Sequence, residues 1–450
     1  MERTVELSNR ELRKAIYALA LPIVWSNLLQ RGVGIIDAVM VGHLGAPELA
    51  AVGMAQLVVM LLMALPMGIG TGTMIIVANA TGEKDPEKRC RAAGSGLAMG
   101  VLFSIFLSIL SYALSYQMAI VIGASGKVAV LAKEYLQIIS IFFIAKSLIY
   151  ILSSIFQGSG DSRTPLSVII WVNILHIIIA YPLIYGLNIS GLGLSIQAWG
   201  VKGAAFASGI TELGGALVLF WKSSKKNLIQ PRKCRIGSYD HKKIINLGIP
   251  VFFERILTSS MQMVYARLVV SFSVAAYAAH QVGLNIESIS WLPGLGFAQA
   301  ATTMVGQNLG AQQPKSAKRV GYQSHRVALI FMTVLGASYL LFPQLWVRLF
   351  TSDPEVIKYG TIYCFVTAFC QPPLATAMVM AGALRGAGNT RFVMGSTILG
   401  AWVVRLPFAY IAGILLSGGI VWVWIAMVLD WSARSAALLW RYRREKSFVD

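Results

Sequence analysis

Long apolar runs with few charged positions recur along the whole chain and predict its secondary structure. Each run reaches the roughly 20 residues that a helix needs to cross the hydrocarbon core of a bilayer. A transmembrane barrel would show short segments of alternating hydrophobicity instead. The sequence therefore predicts an all-α integral membrane protein with twelve transmembrane helices, at 15–41, 49–79, 92–120, 133–157, 164–186, 196–221, 244–271, 275–306, 323–346, 356–384, 391–416 and 419–440.

The composition supports this interpretation and excludes a soluble globular protein. Hydrophobic residues make up 56% of the 450 residues. Charged residues make up only 13%, about half their share in an average soluble domain. A soluble globule of this composition would lack the polar residues needed to cover its surface.

The surplus of positive charge predicts the orientation of the helices. The chain has 38 Lys and Arg against 19 Asp and Glu, a formal charge of +19. These bases lie in short patches between apolar runs and not on one basic face, so we expect no nucleic-acid partner. One set of alternate connections carries 27 bases and the other set five. The positive-inside rule then places both termini in the cytoplasm, for a multi-pass protein of the inner cell membrane.

The two halves of the sequence repeat each other at an offset of 228 residues. The repeated features are Pro22 with Pro250, Gly82 with Gly310, and 158–163 with 386–391. Six helices per half is an even number, so both halves enter the membrane from the same side as a parallel repeat. We predict two pseudo-symmetric six-helix lobes, 1–221 and 244–450, joined by a basic cytoplasmic linker at 222–243. Such a duplication indicates a transporter that rocks around a cleft between its lobes.

The repeated segments carry motifs that resemble those of the multidrug and toxic compound extrusion (MATE) family of secondary antiporters. The motifs are Ala-Leu-Pro-Ile at 20–23, Gly-Ile-Ile-Asp-Ala-Val-Met-Val-Gly-His-Leu-Gly at 34–45, Gly-Ser-Gly-Asp-Ser-Arg-Thr-Pro at 158–165, Ala-Ala-His-Gln at 278–281, Val-Gly-Gln-Asn-Leu-Gly at 305–310, and Leu-Arg-Gly-Ala-Gly-Asn-Thr-Arg at 384–391. The resemblance implies export of amphipathic, often cationic, drugs or toxic metabolites in exchange for protons or sodium ions. It implies no enzymatic activity and no cofactor, and we expect a monomer in the lipid bilayer.

Asp37 is the clearest candidate for ion coupling in the first lobe. A charged group at the centre of a membrane helix costs about 2.5 to 3.5 kcal/mol, so it needs a partner or a water-filled cavity. Gln30 precedes Asp37 by two helical turns and shares its face. The family pattern has a Gln and an Asp at these distances from the proline of the first span, lining a cavity. The alternative is an Asp37 that pairs with Arg31 for stability.

The fifth span departs from one branch of the family. Some members carry an Asn and then an Asp, where this chain has His176 and Ala180. The second carboxylate of the lobe is therefore expected to be absent, which weakens a sodium site because hard cations prefer several oxygen ligands. His176 is able to titrate near neutral pH and exchange a proton with Asp37. A structural hydrogen bond is the equal alternative for His176.

The candidate residues of the second lobe are Glu254, His280 and Glu287. The family acid of the seventh span corresponds to Thr258, and Glu254 lies one turn before it. Arg255 and Arg267 are possible partners of these acids, which leaves a structural role open. His280, Glu287 and Trp291 form one stripe and predict a cavity lining. The family acid of the tenth span has no counterpart, and this favours protons over sodium ions as the coupling ion.

Two other functions were weighed against export of drugs. A related lipid-linked oligosaccharide flippase would need a basic cleft for pyrophosphate, and five intramembrane bases favour it: Arg31, Lys146, Arg255, Arg267 and Arg405. An intramembrane serine protease is suggested only by the short motif at 123–126, which lacks an evident His partner. The five histidines show no metal-binding spacing, so no metal is expected.

Overall fold

The predicted apolar runs fold as helices in the computed structural model, which describes residues 8–189, 194–229 and 238–448. The first eight α-helices are α1 Asn9–Gly42, α2 Ala46–Leu62, α3 Ala64–Gly82, α4 Pro86–Ala113, α5 Ser115–Val121, α6 Gly126–Gly158, α7 Arg163–Tyr185 and α8 Val201–Lys225. The others are α9 Ser238–Val270, α10 Val274–Gly310, α11 Pro314–Leu341, α12 Pro343–Arg348, α13 Pro354–Gly386, α14 Thr390–Thr397, α15 Leu406–Phe408 and α16 Ile420–Arg443. Two π-helical stretches, Ile398–Arg405 and Ala409–Leu415, flank α15, and a 3-10 turn forms at Lys446–Phe448.

In the part of the chain that the structure describes, twelve helical segments correspond to the twelve predicted spans, which confirms the fold class. Within the described residues, ten segments are long and apolar enough to cross a membrane. The remaining two are α9 and α10, which are 33 and 37 residues long.

The sixth predicted span, 196–221, begins too early. Between α7 and α8 the chain forms a small antiparallel hairpin of β1 (Leu187–Ile189) and β2 (Leu194–Ile196). α8 begins only at Val201, after Gly200 with its positive φ of 57°. The apolar residues of β2 continue the hydrophobic run, and this is why hydropathy alone extended the helix.

The internal repeat is visible in the helix bounds. α4 and α11 are related by the 228-residue offset at both ends, and so are α6 and α13. The turns repeat as well, because Lys84 and Gln312 both have a φ of 56°. The offset falls to 219 at the last pair, α8 and α16, since the hairpin lengthens the connection before α8.

The chain divides into two units that each take residues from both halves of the sequence. The N unit is Trp25–Thr81 with Asp85–Phe252, and the C unit is Met1–Val24, Gly82–Lys84 and Phe253–Asp450. The divisions inside α1 and α9 each fall two residues after a proline, Pro22 or Pro250. The predicted lobe bounds stay a prediction, and part of the predicted linker, 230–237, lies outside the described residues.

One helix organises each unit. In the N unit α6 packs against α2, α4 and α8, with Leu136 and Ile151 buried in two apolar clusters. In the C unit its repeat counterpart α13 packs against α10, α11 and α16. α13 approaches α10 so closely that a Cβ at Gly382 would overlap the Ala298 carbonyl oxygen. The small residues of these helices allow their backbones to come together, as is common between membrane helices.

Candidate functional site

A cavity of about 930 Å³ lies in the N unit. Its walls come from α1, α2, α6, α7 and α8. A volume of this size accommodates a drug-sized molecule. Its ionisable lining residues are Arg31, Asp37, His43, Tyr135, Lys146, His176 and Glu212.

Asp37 and His176 are in direct contact in this cavity. The imidazole Nε2 of His176 lies 2.6 Å from the Oδ1 of Asp37. The His176 side chain is only 4% exposed, whereas that of Asp37 is 20% exposed. A hydrogen bond also joins the imidazole to the backbone of Ala207 in α8. The carboxylate therefore faces the cavity, and the imidazole lies behind it, held by a second helix.

The two contacts of the imidazole determine how this pair handles a proton. One ring nitrogen donates to the Ala207 carbonyl, so the other nitrogen has two options. It accepts from a protonated Asp37, or it donates to an ionised Asp37. Both forms contain the same number of protons. Loss of the shared proton leaves a carboxylate oxygen facing an imidazole lone pair, which is unfavourable at this distance.

Gln30 lines the same cavity as Asp37 and His176. The structure thus brings together the three residues that the sequence proposed for the first lobe. Arg31 also lines the cavity, but an ion pair with it is not needed to position Asp37, because His176 does so.

Glu212 of α8 also lines the cavity and supplies a carboxylate that the sequence analysis did not name, although the fifth span carries none at Ala180. Lys146 of α6 places its Nζ 2.5 Å from the Oε1 of Glu212 in α8. The two residues are 66 positions apart, so sequence spacing alone does not reveal the pair. The detectable signal was a lone acid in the middle of an apolar span, where an unpartnered charge is costly.

His280 and Glu287 lie together in the C unit, but they are buried. Their exposed fractions are 3% and 8%. The hydroxyl of Tyr363 donates to the Oε2 of Glu287 at 3.1 Å. The ring of His280 packs against the rings of Tyr265 and Tyr363, with centroids 5.7 and 5.5 Å away. His280 and Glu287 therefore lie close together, as the predicted stripe requires, but aromatic side chains enclose both of them.

Glu254 has a partner that sequence reasoning did not name. Both carboxylate oxygens accept from the Nη2 of Arg385, at 2.7 and 2.8 Å. Arg385 lies at the end of α13, 131 positions away. The two bases named from the sequence, Arg255 and Arg267, lie on the same helix as Glu254.

A second buried charge cluster in the C unit was also missed. Asp430 is fully buried and accepts from the Nη2 of Arg405 at 2.7 Å. Arg434, one helical turn further along α16, donates to the other side of the same carboxylate. An Asp and an Arg at i and i+4 inside a membrane span are a signal that sequence analysis can detect.

Comparison with known proteins assigns the family. The sequence model of the MatE family matches residues 22–182 and 250–411, one stretch in each half of the chain. The chain belongs to the MatE family. It is therefore a multi-pass membrane transporter and not an enzyme, as the resemblance implied.

Relatives align over nearly the whole chain. The probable multidrug resistance protein NorM of Thermotoga maritima is 30% identical over 431 residues, which cover 95% of this chain and 92% of that protein. The multidrug resistance protein MdtK of Photorhabdus laumondii is 25% identical over 441 residues, covering 95% and 94%.

Solved structures share the fold of this MatE transporter. An outward-facing multidrug resistance MATE family transporter of the MOP superfamily superposes with a TM-score of 0.89, at 23% identity over 98% of this chain and 97% of that one. The bent form of the Vibrio cholerae MATE transporter VcmN gives a TM-score of 0.88, at 18% identity over 97% of both chains. At these identities the structures support the two-lobe, twelve-helix fold alone.

Proposed function

We propose that this MatE transporter is an antiporter that exports amphipathic, often cationic, drugs or toxic metabolites in exchange for protons. Relatives named for multidrug resistance support the substrate class. The observation that carries the proposal of proton coupling is the 2.6 Å contact between Asp37 and His176 in the cavity of the N unit.

Competition at Asp37 links the proton to the substrate. With the shared proton in place, the Asp37–His176 pair is neutral and satisfied. A cationic group that enters the cavity supplies the same positive charge to the carboxylate and allows the proton to leave. The 20% exposure of Asp37 makes its carboxylate accessible to such a ligand. Proton and cation therefore exclude each other at one group.

Mutually exclusive binding of proton and substrate gives antiport only if the protein alternates between two conformational states. A ligand shifts such an equilibrium only by its differential affinity for the two states. Rocking of one lobe against the other supplies the two states in transporters of this architecture. We place the protein in the inner cell membrane with both termini in the cytoplasm, so that protons move into the cell and the substrate moves out. We expect the transporter to work as a monomer.

Protons are favoured over sodium ions by the chemistry around Asp37. A hard cation prefers a shell of several oxygen ligands. Asp37 is contacted instead by an imidazole nitrogen, which carries protons near neutral pH. Ala180 supplies no oxygen ligand, and Glu212, the second carboxylate of the cavity, is paired with Lys146.

The candidate residues of the C unit have two different proposed roles. Glu287, with a tyrosine hydroxyl as its hydrogen-bond donor, and the adjacent His280 are the candidates for a second ionisable site in this unit. Glu254 is neutralised by Arg385, which favours the structural alternative.

The flippase alternative receives less support from the contacts of its bases. Lys146 is paired with Glu212, and Arg405 is paired with Asp430. A base that is paired with an acid contributes less to the strongly positive cleft that a pyrophosphate requires.

Efflux of ethidium from proteoliposomes tests the proposed function. A pH gradient and a sodium gradient are imposed in separate experiments. We expect efflux with the pH gradient alone. Efflux driven only by sodium would overturn the proton coupling, and transport of a fluorescent lipid without any dye efflux would establish the flippase.

Asp37→Asn is the first variant to test, because it removes the charge that proton and cation share. We expect a folded protein that has lost proton-driven efflux. Glu355→Gln, which removes an exposed acid outside the cavity, is the matched control and should keep full activity. Full efflux by the Asp37→Asn protein would remove Asp37 from the mechanism.

A further inference from the structure

The last long helix of each half ends in the same arrangement of a tryptophan and a base. In the N unit the Nζ of Lys225 lies 3.9 Å from the centroid of the Trp221 ring, at the end of α8. In the C unit the guanidinium carbon of Arg444 lies 5.0 Å from the ring centroid of Trp440, at the end of α16. Each base follows its tryptophan by four residues, and the two pairs correspond at the 219-residue offset of these helices. The arrangement is therefore repeated in both halves of the chain.

The position of these bases at helix ends does not explain why they lie over rings. A base near a helix C-terminus interacts favourably with the helix dipole. Neighbouring bases have the same position and are ion-paired, Lys226 with Asp161 and Arg441 with Glu445. The two bases over the rings lie against aromatic faces instead, and a ring holds a cation without cancelling its charge. Each unit therefore has a base whose charge is available to an external anion.

The two rings lie on exposed apolar surface. Trp221 is 54% exposed and Trp440 is 51% exposed. In α8, Leu213 and Leu217 precede Trp221 at intervals of four residues and are exposed as well, at 38% and 62%. Trp221 follows the cavity residue Glu212 by nine residues, about two and a half turns, so this stripe lies on the opposite side of the helix from the cavity. An exposed apolar stripe on a membrane helix is in contact with lipid.

The ring and the base match two successive layers of a lipid monolayer. Tryptophan prefers the interface between acyl chains and headgroups. The base lies one helical turn, about 5.4 Å, beyond its tryptophan and therefore closer to water. Its alkyl stem extends along the ring and carries the charge outwards. The positive charge is thus held at the depth of the lipid phosphates.

We infer that each unit binds the headgroup of an anionic phospholipid at this position, with the Trp221–Lys225 pair in the N unit and the Trp440–Arg444 pair in the C unit. The base contacts the phosphate, and the ring packs against the glycerol and the first carbons of the acyl chains. The positive-inside rule places both helix ends on the cytoplasmic side, where the negatively charged leaflet supplies the ligand. These sites lie outside the cavity and do not depend on the proposed export of drugs.

Mass spectrometry of the intact transporter counts the lipids that these sites retain. The purified protein in detergent is titrated with phosphatidylglycerol, whose headgroup is negatively charged, or with phosphatidylcholine, whose headgroup is neutral overall. We expect two phosphatidylglycerol molecules to be retained in preference to phosphatidylcholine. Equal retention of the two lipids would overturn the inference.

Substitutions test the assignment to the two pairs. Lys225→Gln and Arg444→Gln should each remove one tightly bound phosphatidylglycerol, and the double variant should lose both. The affinity of each substituted site should fall about fivefold, the effect of one base near a membrane surface. Trp221→Leu with Trp440→Leu keeps the charge and should weaken both sites too, because the bases are no longer held against a ring. Unchanged retention by the double Gln variant contradicts the inference.

A matched control separates the two sites from the net charge of the protein. Arg13→Gln with Lys14→Gln also removes two exposed bases, near the start of α1, and should retain both lipids. A loss equal to that of the double variant at Lys225 and Arg444 would show that only net charge attracts the lipid, which overturns the inference. Binding of polyglutamate at the two pairs, without retained lipid, would assign them to an acidic protein partner and overturn it as well.

Discussion

The N unit and the C unit both carry polar groups in the same region of their repeat, but at different positions, and those of the N unit line a cavity whereas His280 and Glu287 of the C unit are buried. His280 and Glu287 of the C unit correspond, at the 228-residue offset, to Val52 and Val59, which line the N-unit cavity. Tyr135 of the cavity corresponds to Tyr363, the hydrogen-bond donor to Glu287. The same region of the repeat is thus an open site in one unit and a closed polar core in the other.

The residues that differ explain the contrast. Asp37 corresponds to Tyr265 and Lys146 to Leu374, so the C unit has an aromatic ring and an apolar side chain where the N unit has charges. Charged residues of the C unit instead pair with each other, as Asp430 does with two arginines. A duplicated fold has in this way separated a binding site from a stabilising cluster.

The largest expected effect comes from substituting Asp430, and the matching substitution of Asp37 tests the contrast between the units. Asp430→Asn leaves Arg405 and Arg434 buried without their counter-charge, and loss of one partner of a buried ion pair costs about 3 to 5 kcal/mol. Asp37→Asn leaves a neutral side chain at the edge of a cavity and should cost less than about 1 kcal/mol. We expect a clearly lower thermal unfolding midpoint only for Asp430→Asn, measured by fluorescence in detergent.

Equal destabilisation by the two changes would contradict the division of roles. A stable Asp430→Asn protein that has lost proton-driven efflux would place part of the coupling in the C unit.

Substitution of Glu254 should lower the free energy of unfolding by less than Asp430→Asn and by more than Asp37→Asn. Its partner Arg385 is 18% exposed, so Glu254→Gln leaves a partly solvated guanidinium and should cost about 1 to 3 kcal/mol. Proton-driven efflux per folded molecule should stay close to that of the wild-type protein. The measurement combines the unfolding midpoint with efflux normalised to reconstituted protein. Unchanged stability together with lost proton dependence would move Glu254 into the coupling site.

Elements that depend on local sequence could be predicted, and those that depend on pairing between distant helices could not. The apolar runs locate the helices because each must satisfy its backbone within the membrane. The spacing of Gln30 and Asp37 locates them on one face for the same local reason. The assignment of His176 to the site rests on the resemblance to the family.

The partners of the charged residues were the part that sequence could not supply. Glu254 was considered with bases on its own helix, yet Arg385 on α13 holds it. Glu212 of α8 is paired with Lys146 of α6, and spacing along the sequence does not connect the two. Hydropathy shows that a buried charge needs compensation, but the fold decides which residue provides it.

The smallest expected effect is a pH-dependent change in stability at the repeated turns, 158–163 and 386–391. Asp161 accepts from Thr164 and from Lys226, while its repeat counterpart Asn389 accepts from the backbone of Phe392 and donates to Glu445. Burial raises the pKa of Asp161, but the hydrogen bonds from Lys226 and Thr164 outweigh it, so the pKa lies below its ordinary value. The ionised carboxylate therefore stabilises the folded state at neutral pH.

This stabilisation should disappear as the pH falls, because a depressed folded-state pKa gives stability that is lost on protonation of the carboxylate. Asp161→Asn gives the first loop the residue that the second loop has at the equivalent position, Asn389, and removes that dependence. We expect the wild-type protein to lose about 1 kcal/mol or less, relative to the variant, as the pH falls from about 5 to about 3 and below. Unfolding midpoints over this range measure the difference, and Asn389→Ala is the control with a loss that does not follow the carboxylate. Parallel pH profiles for wild type and Asp161→Asn would show that the two turns are equivalent and that the contrast between the units is confined to the cavity and its buried counterpart.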